Sequence, residues 1–86
     1  MDRQKAVSFI KEIFEQCHSI EGKSIKLLPP KENNSLSSTF QIHIEVKDDL
    51  TLQSCVHKIA AKNNLAVAKK DGVLIVYKPY PNLIMP

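Results

Sequence analysis

Glycine is scarce in this sequence, with only Gly22 and Gly72. Both fall where a turn needs them, so no glycine-rich loop remains to cradle a phosphate. Ser35, Ser37 and Ser38 likewise lack the glycine elbow that would present a serine nucleophile. Tryptophan is absent, and the longest apolar stretch is the five residues from Val73 to Tyr77. That run is far too short to cross a bilayer, and no membrane partner is expected. Two cysteines, Cys17 and Cys55, do not make a disulfide framework. Each falls on the apolar face of a predicted helix and reads as a buried thiol packing as a small hydrophobe. A bond between them requires the two helices to lie side by side with their Cα atoms close.

Metal ligands in a usable pattern are also missing. Cys17-His18 and Cys55-Val56-His57 offer four donors, but adjacent helical residues diverge by about 100° and cannot easily face one ion. The C-x₂₋₄-C and H-x₃₋₅-H spacings of structural zinc sites do not occur. No Asp or Glu pair sits in an apolar run where burial would raise a pKa. His43 alternates outward on its strand. The expectation is therefore a chain without catalytic, cofactor-binding or metal-binding residues, and not an enzyme.

What is present is a small globular domain. Of the 86 residues, 43% are hydrophobic and 24% charged, unlike a disordered chain. The charged start, Met-Asp-Arg-Gln-Lys, leads into a segment holding Lys11, Glu12 and Glu15, unlike the apolar core of a signal peptide. The expected location is the cytoplasm.

Ala6, Phe9, Ile10, Ile13, Phe14, Cys17 and Ile20 recur at three- and four-residue steps, which predicts a helix from Asp2 to about Ser19. Asp2 is its N-cap and Glu21-Gly22 its stop; Lys11 and Glu15 can pair across one turn. Ser24 to Leu28 reads as a strand ended by Pro29-Pro30. Lys31 to Ser38 is a polar loop. From Thr39 to Val46, Phe40, Ile42, Ile44 and Val46 alternate with Gln41, His43 and Glu45, a strand with one buried and one wet face. Leu52, Cys55, Val56, Ile59 and Ala60 predict a second helix, capped by Asp49 or Thr51 and broken by Asn63-Asn64.

The hairpin that follows is the clearest signal. Two apolar runs, Leu65–Ala68 and Val73–Tyr77, flank Lys69-Lys70-Asp71-Gly72, and Asp-Gly suits the positive φ of a type I′ turn. A two-residue loop pairs Lys70 with Val73, Ala68 with Ile75, Val67 with Val76 and Ala66 with Tyr77. The fold class is α+β: a two-layer sandwich of order α-β-β-α-β-β, two helices on one face of a mainly antiparallel four-stranded sheet. Residues 1–79 form one domain, and 80–86 are an apolar, proline-rich tail.

Two surfaces could carry function. Leu65, Val67, Leu74 and Val76 should meet the helices, which leaves Ala66, Ala68, Val73, Ile75 and Tyr77 on a face too apolar for water. Tyr80, Leu83, Ile84 and Met85 of the tail are also too apolar for a solvated terminus. These nine residues are the expected interface of a protein–protein module, with an unknown partner or a second copy as a homodimer.

The alternative is nucleic acid. Residues 1–50 hold seven Lys or Arg against eight Asp or Glu; residues 51–86 hold five Lys and one Asp. The lysines are Lys58, Lys62, Lys69, Lys70 and Lys78, a basic helix-plus-hairpin surface suited to phosphate. Arginine, the usual base reader, is missing there. This segment resembles the last helix and wing of winged-helix proteins, which implies a helix in the major groove and a wing on phosphate. A strand precedes the helix here, where that fold has another helix. Thr51 to Lys78 is also similar to the helix-plus-hairpin unit of the small N-terminal domains of secretins, which work outside the cytoplasm.

Overall fold

The computed structural model describes residues 1–29 and 40–79. Helix α1 spans Arg3–Gln16 and buries Ala6, Phe9 and Ile13. Asp2 caps it, its carboxylate accepting from the Lys5 N–H at 2.8 Å. The helix ends three residues before the expected Ser19. Cys17 leaves helical geometry (φ −108°, ψ 89°), and His18–Ile20 continue as a 3₁₀ turn. Ile20, which fits the helical stripe, is buried by that tighter turn instead. Gly22 (φ +82°) then reverses the chain.

The strands are β1 (Ile25–Leu28), β2 (Gln41–Glu45), β3 (Ala66–Lys70) and β4 (Val73–Tyr77), with helix α2 (Leu50–Lys62) between β2 and β3. All pairings are antiparallel, and the spatial order is β1-β2-β4-β3. The α-β-β-α-β-β order and the α+β class are as expected from sequence. So is the final hairpin, down to the Lys70↔Val73, Ala68↔Ile75, Val67↔Val76 and Ala66↔Tyr77 partners. Its turn holds Asp71 at φ +52° and Gly72 at φ +78°, the double positive φ of a type I′ turn.

Asp49, not Thr51, caps α2: the Leu52 N–H donates to its carboxylate at 2.9 Å. At the other end Asn64 takes the left-handed conformation (φ +59°). The Leu65 N–H then reaches Ala60 O at 2.9 Å and the Asn64 N–H reaches Ala61 O at 3.2 Å. This is a Schellman stop with asparagine in glycine's usual place.

One core joins the two layers. Phe9 and Ile13 of α1 and Leu52, Val56 and Ile59 of α2 are buried in the same cluster as Ile42, Ile44, Leu74 and Val76 of the central strands. Ile25, Leu27 and Val67 of the edge strands pack against it in part. Buried Gln53 ties three segments together: it donates to Lys47 O at 3.0 Å and accepts from Lys69 Nζ at 3.2 Å.

Two large apolar residues lie outside the core, and the first of them, Phe14, belongs to the expected helical stripe. Phe14 is 57% exposed. Glu12 reaches across to Asn63 on α2, so Phe14 falls on the opposite flank of α1. Leu50, at the first turn of α2, is 74% exposed.

The cysteines correct the reading of two free thiols. Cys17 and Cys55 form a disulfide with Cα atoms 5.9 Å apart, and no cysteine is free. The side-by-side condition is met because α1 and α2 pack together with the end of α1 against the first half of α2. A second contact between them, Lys62 with Glu12, lies farther back on α1 and farther on along α2.

Candidate interaction surface

A sheet covered on one side by helices leaves its other side open. Period-two alternation decides which residues lie there. Ile42, Ile44, Leu74 and Val76 face the helices. Their neighbours form cross-strand rows on the open side: Lys26, His43, Ile75 and Ala68 in one, and Glu45, Val73 and Lys70 in the next. At the far end lie Leu28 beside Gln41, and Tyr77 beside Ala66. Apart from Lys70 beside the turn, the β3–β4 half of this face is therefore apolar, and apart from Leu28 the β1–β2 half is polar.

The five described members of the expected interface, Ala66, Ala68, Val73, Ile75 and Tyr77, do come together here, all half-buried. Tyr80, Leu83, Ile84 and Met85 lie outside the described residues, as does the whole tail from 80 to 86. Ser35, Ser37 and Ser38 fall outside them too.

The polar half has structure of its own. Gln41 was expected to be wet but is 6% exposed. Its side-chain oxygen lies 3.1 Å from His43 Nε2. His43 sits with Ser24, Lys26, Glu45 and Val73 around a shallow depression. Burial lowers the His43 pKa, and the Lys26 ammonium lowers it further. The imidazole is thus held toward its neutral form. Nothing in this group places a base against a nucleophile.

The edges of the sheet are poor docking sites by comparison. Strand β1 has four residues and runs into Pro29. Strand β3 carries Lys69 and Lys70, both exposed. Short, lysine-bearing or proline-ended edges resist pairing with another chain.

The five lysines of the alternative site are brought together only in part. Lys62 pairs with Glu12 on α1, and that contact, with the Asn63 bond, holds the Glu12 carboxyl below its ordinary range. Lys69 turns toward Gln53 under the helices, while Lys70, next in the strand, has the opposite parity and lies on the open side. Lys58 stands exposed on α2. Lys78 follows β4 at the end of the sheet away from the hairpin turn and lies near the Met1 amino group. Cys17, His18, Cys55 and His57 form no metal cluster, and no group of His, Cys, Asp or Glu among the described residues could hold a metal ion. No described helix is long and apolar enough to cross a membrane.

Sequence reasoning found the apolar strip because the hairpin register follows from the Asp-Gly turn. It missed the disulfide, the burial of Gln41 and the exposure of Phe14, which depend on how α1 seats against α2 and the sheet. Comparison with known proteins leaves these features as the basis for any reading: no family model, no curated protein and no solved structure matches the chain.

Proposed function

We propose that this domain is a non-enzymatic interaction module that self-associates through the open face of its sheet. The observation that carries the proposal is the half-buried strip of Ala66, Ala68, Val73, Ile75 and Tyr77 opposite the helices. Helix-covered sheets normally keep the uncovered face polar, as the β1–β2 half does here. An apolar strip rimmed by Lys26, Glu45, Lys70 and His43 has the make-up of a contact surface. Two copies related by a two-fold axis would set strip against strip. Two alanines among five residues make the patch shallow. The contact therefore belongs with small, transient interfaces, under about 1,200 Å² in total.

The nucleic-acid reading has less behind it. Lysines bound to Glu12 and Gln53, or separated by the length of β4, do not present one basic stripe to a phosphate backbone.

Sedimentation of the full chain, of a chain ending at Pro79 and of Ile75→Asp tests the proposal. The expected result is concentration-dependent association in the first two and a monomer in the third, with helix content unchanged. A full chain that stays monomeric throughout overturns self-association. If the shortened chain alone associates, residues 80–86 are the occupant of the face instead.

A further inference from the structure

We propose that the Cys17–Cys55 bond is a structural crosslink of the native protein and that the domain works in a compartment that oxidises thiols. The chain contains two cysteines, 38 residues apart in sequence, and the fold brings both to one point. They join the end of α1 to the middle of α2, where two elements with no backbone hydrogen bonds between them must be held. Persistent disulfides belong to oxidising environments and are rare where glutathione and thioredoxin keep thiols reduced. The expectation of a cytoplasmic location rested on the charged start and on Lys11, Glu12 and Glu15 in the segment after it, and carries less weight than this bond.

The two sulfurs differ in access. Cys17 is 2% exposed. Cys55 is only partly buried; both cysteines border one surface groove, with Gln16, Ser19 and Thr51, and Cys55 alone of the two borders a second, with Ser54 and Lys58. An incoming thiol or disulfide therefore meets Cys55 first.

In the forming direction, the Cys55 thiol loses its proton and attacks a disulfide of an oxidant, which departs with one sulfur as a thiol. Cys17 then loses its proton and displaces the second oxidant sulfur from Cys55. Two protein thiols and one oxidant disulfide become one protein disulfide and two oxidant thiols. In the reverse direction a reductant thiolate attacks Cys55 and must expel Cys17 as a thiolate into an apolar site; a second reductant thiol then attacks the mixed disulfide, freeing Cys55 and leaving as the reductant disulfide. That makes Cys17 a poor leaving group, so the folded state shields the bond.

Two measurements on the full chain test this. Cells that make the protein are quenched in acid, free thiols are alkylated, and the chain is weighed before and after reduction. The expected result is no alkylation of either cysteine until the reductant is added; a chain alkylated twice without reduction overturns the proposal. The oxidised protein is then reduced by a small thiol with and without urea. Reduction of the folded chain should be roughly tenfold slower or more, because attack must reach the partly buried Cys55 sulfur and expel Cys17 into a buried site. Equal rates overturn the shielded crosslink.

Discussion

Reducing the Cys17–Cys55 bond should remove a large share of the stability of this domain. The bond closes a loop across a sequence separation of 38 residues. Loop-closure entropy for that length is about 13 cal/mol/K, which is about 3.9 kcal/mol at room temperature. A chain of 86 residues has a total stability of roughly 4–13 kcal/mol at ordinary values per residue. The crosslink is therefore worth between a third and nearly all of it. The assay is urea unfolding of the same protein with and without a phosphine reductant, followed by far-UV circular dichroism. With an m-value of about 1 kcal/mol/M, the midpoint should fall by about 3–4 M, or the reduced chain should already be unfolded in buffer. The m-value should also rise on reduction, because the uncrosslinked denatured chain exposes more surface. Reduction serves better than replacement, since an alanine at buried Cys17 would add a cavity term. A midpoint shift under about 0.5 M would contradict loop closure as the source of this stability, because no form of the loop-closure model gives so little.

Other perturbations act on single features. Gly72→Ala should cost about 1–2 kcal/mol in urea unfolding, because the left-handed backbone at φ +78° strains any Cβ; its Cβ would meet Lys47 Cα at an ordinary 3.5 Å, so packing adds little. Asp49→Ala should cost about 1 kcal/mol through loss of the α2 cap, read in the same assay, and Asp49→Ser should recover most of it. Glu12→Gln should be destabilising at neutral pH and progressively less so in acid. The Glu12 pKa is depressed by the Lys62 and Asn63 bonds, so its contribution is full above the ordinary 4.5 and is lost as pH falls through the lower folded value; a variant-to-wild-type gap that stays constant to pH 2 would contradict this. For His43 the sign is the same but the window is higher: burial and Lys26 lower its folded pKa by disfavouring the imidazolium, so stability should decline as pH drops below the ordinary 6.5, and His43→Gln should lose that part of the pH profile.

The elements were legible where local chemistry decides them. The β2 alternation placed Ile42 and Ile44 inside because a half-covered sheet permits only that pattern. The Asp71-Gly72 turn fixed the hairpin register, and with it the membership of the apolar strip. The strand order was not legible. Nothing local says that β4, arriving last, will pair with β2 in the centre and leave β3 at an edge. The disulfide was hidden for a related reason. Helical periodicity puts Cys17 and Cys55 on apolar faces, but their meeting depends on the pairing of α1 with α2. Phe14 shows the limit of periodicity itself, since a stripe wide enough to include Phe9, Ile13 and Phe14 exceeds what α1 can bury with α2 on one flank. Gln41 kept the outward parity expected of it and is buried nonetheless, because parity predicts direction and not cover.

The claim that the open sheet face is the contact surface is tested most directly by methyl NMR over a concentration series. Ala66, Ala68, Val73 and Ile75 signals should shift progressively as the protein is concentrated, while Ile44, Val56 and Leu74 on the helix side stay fixed. Signals that do not move across the series, or that move at exposed Leu50 and around Phe14 instead, would contradict it.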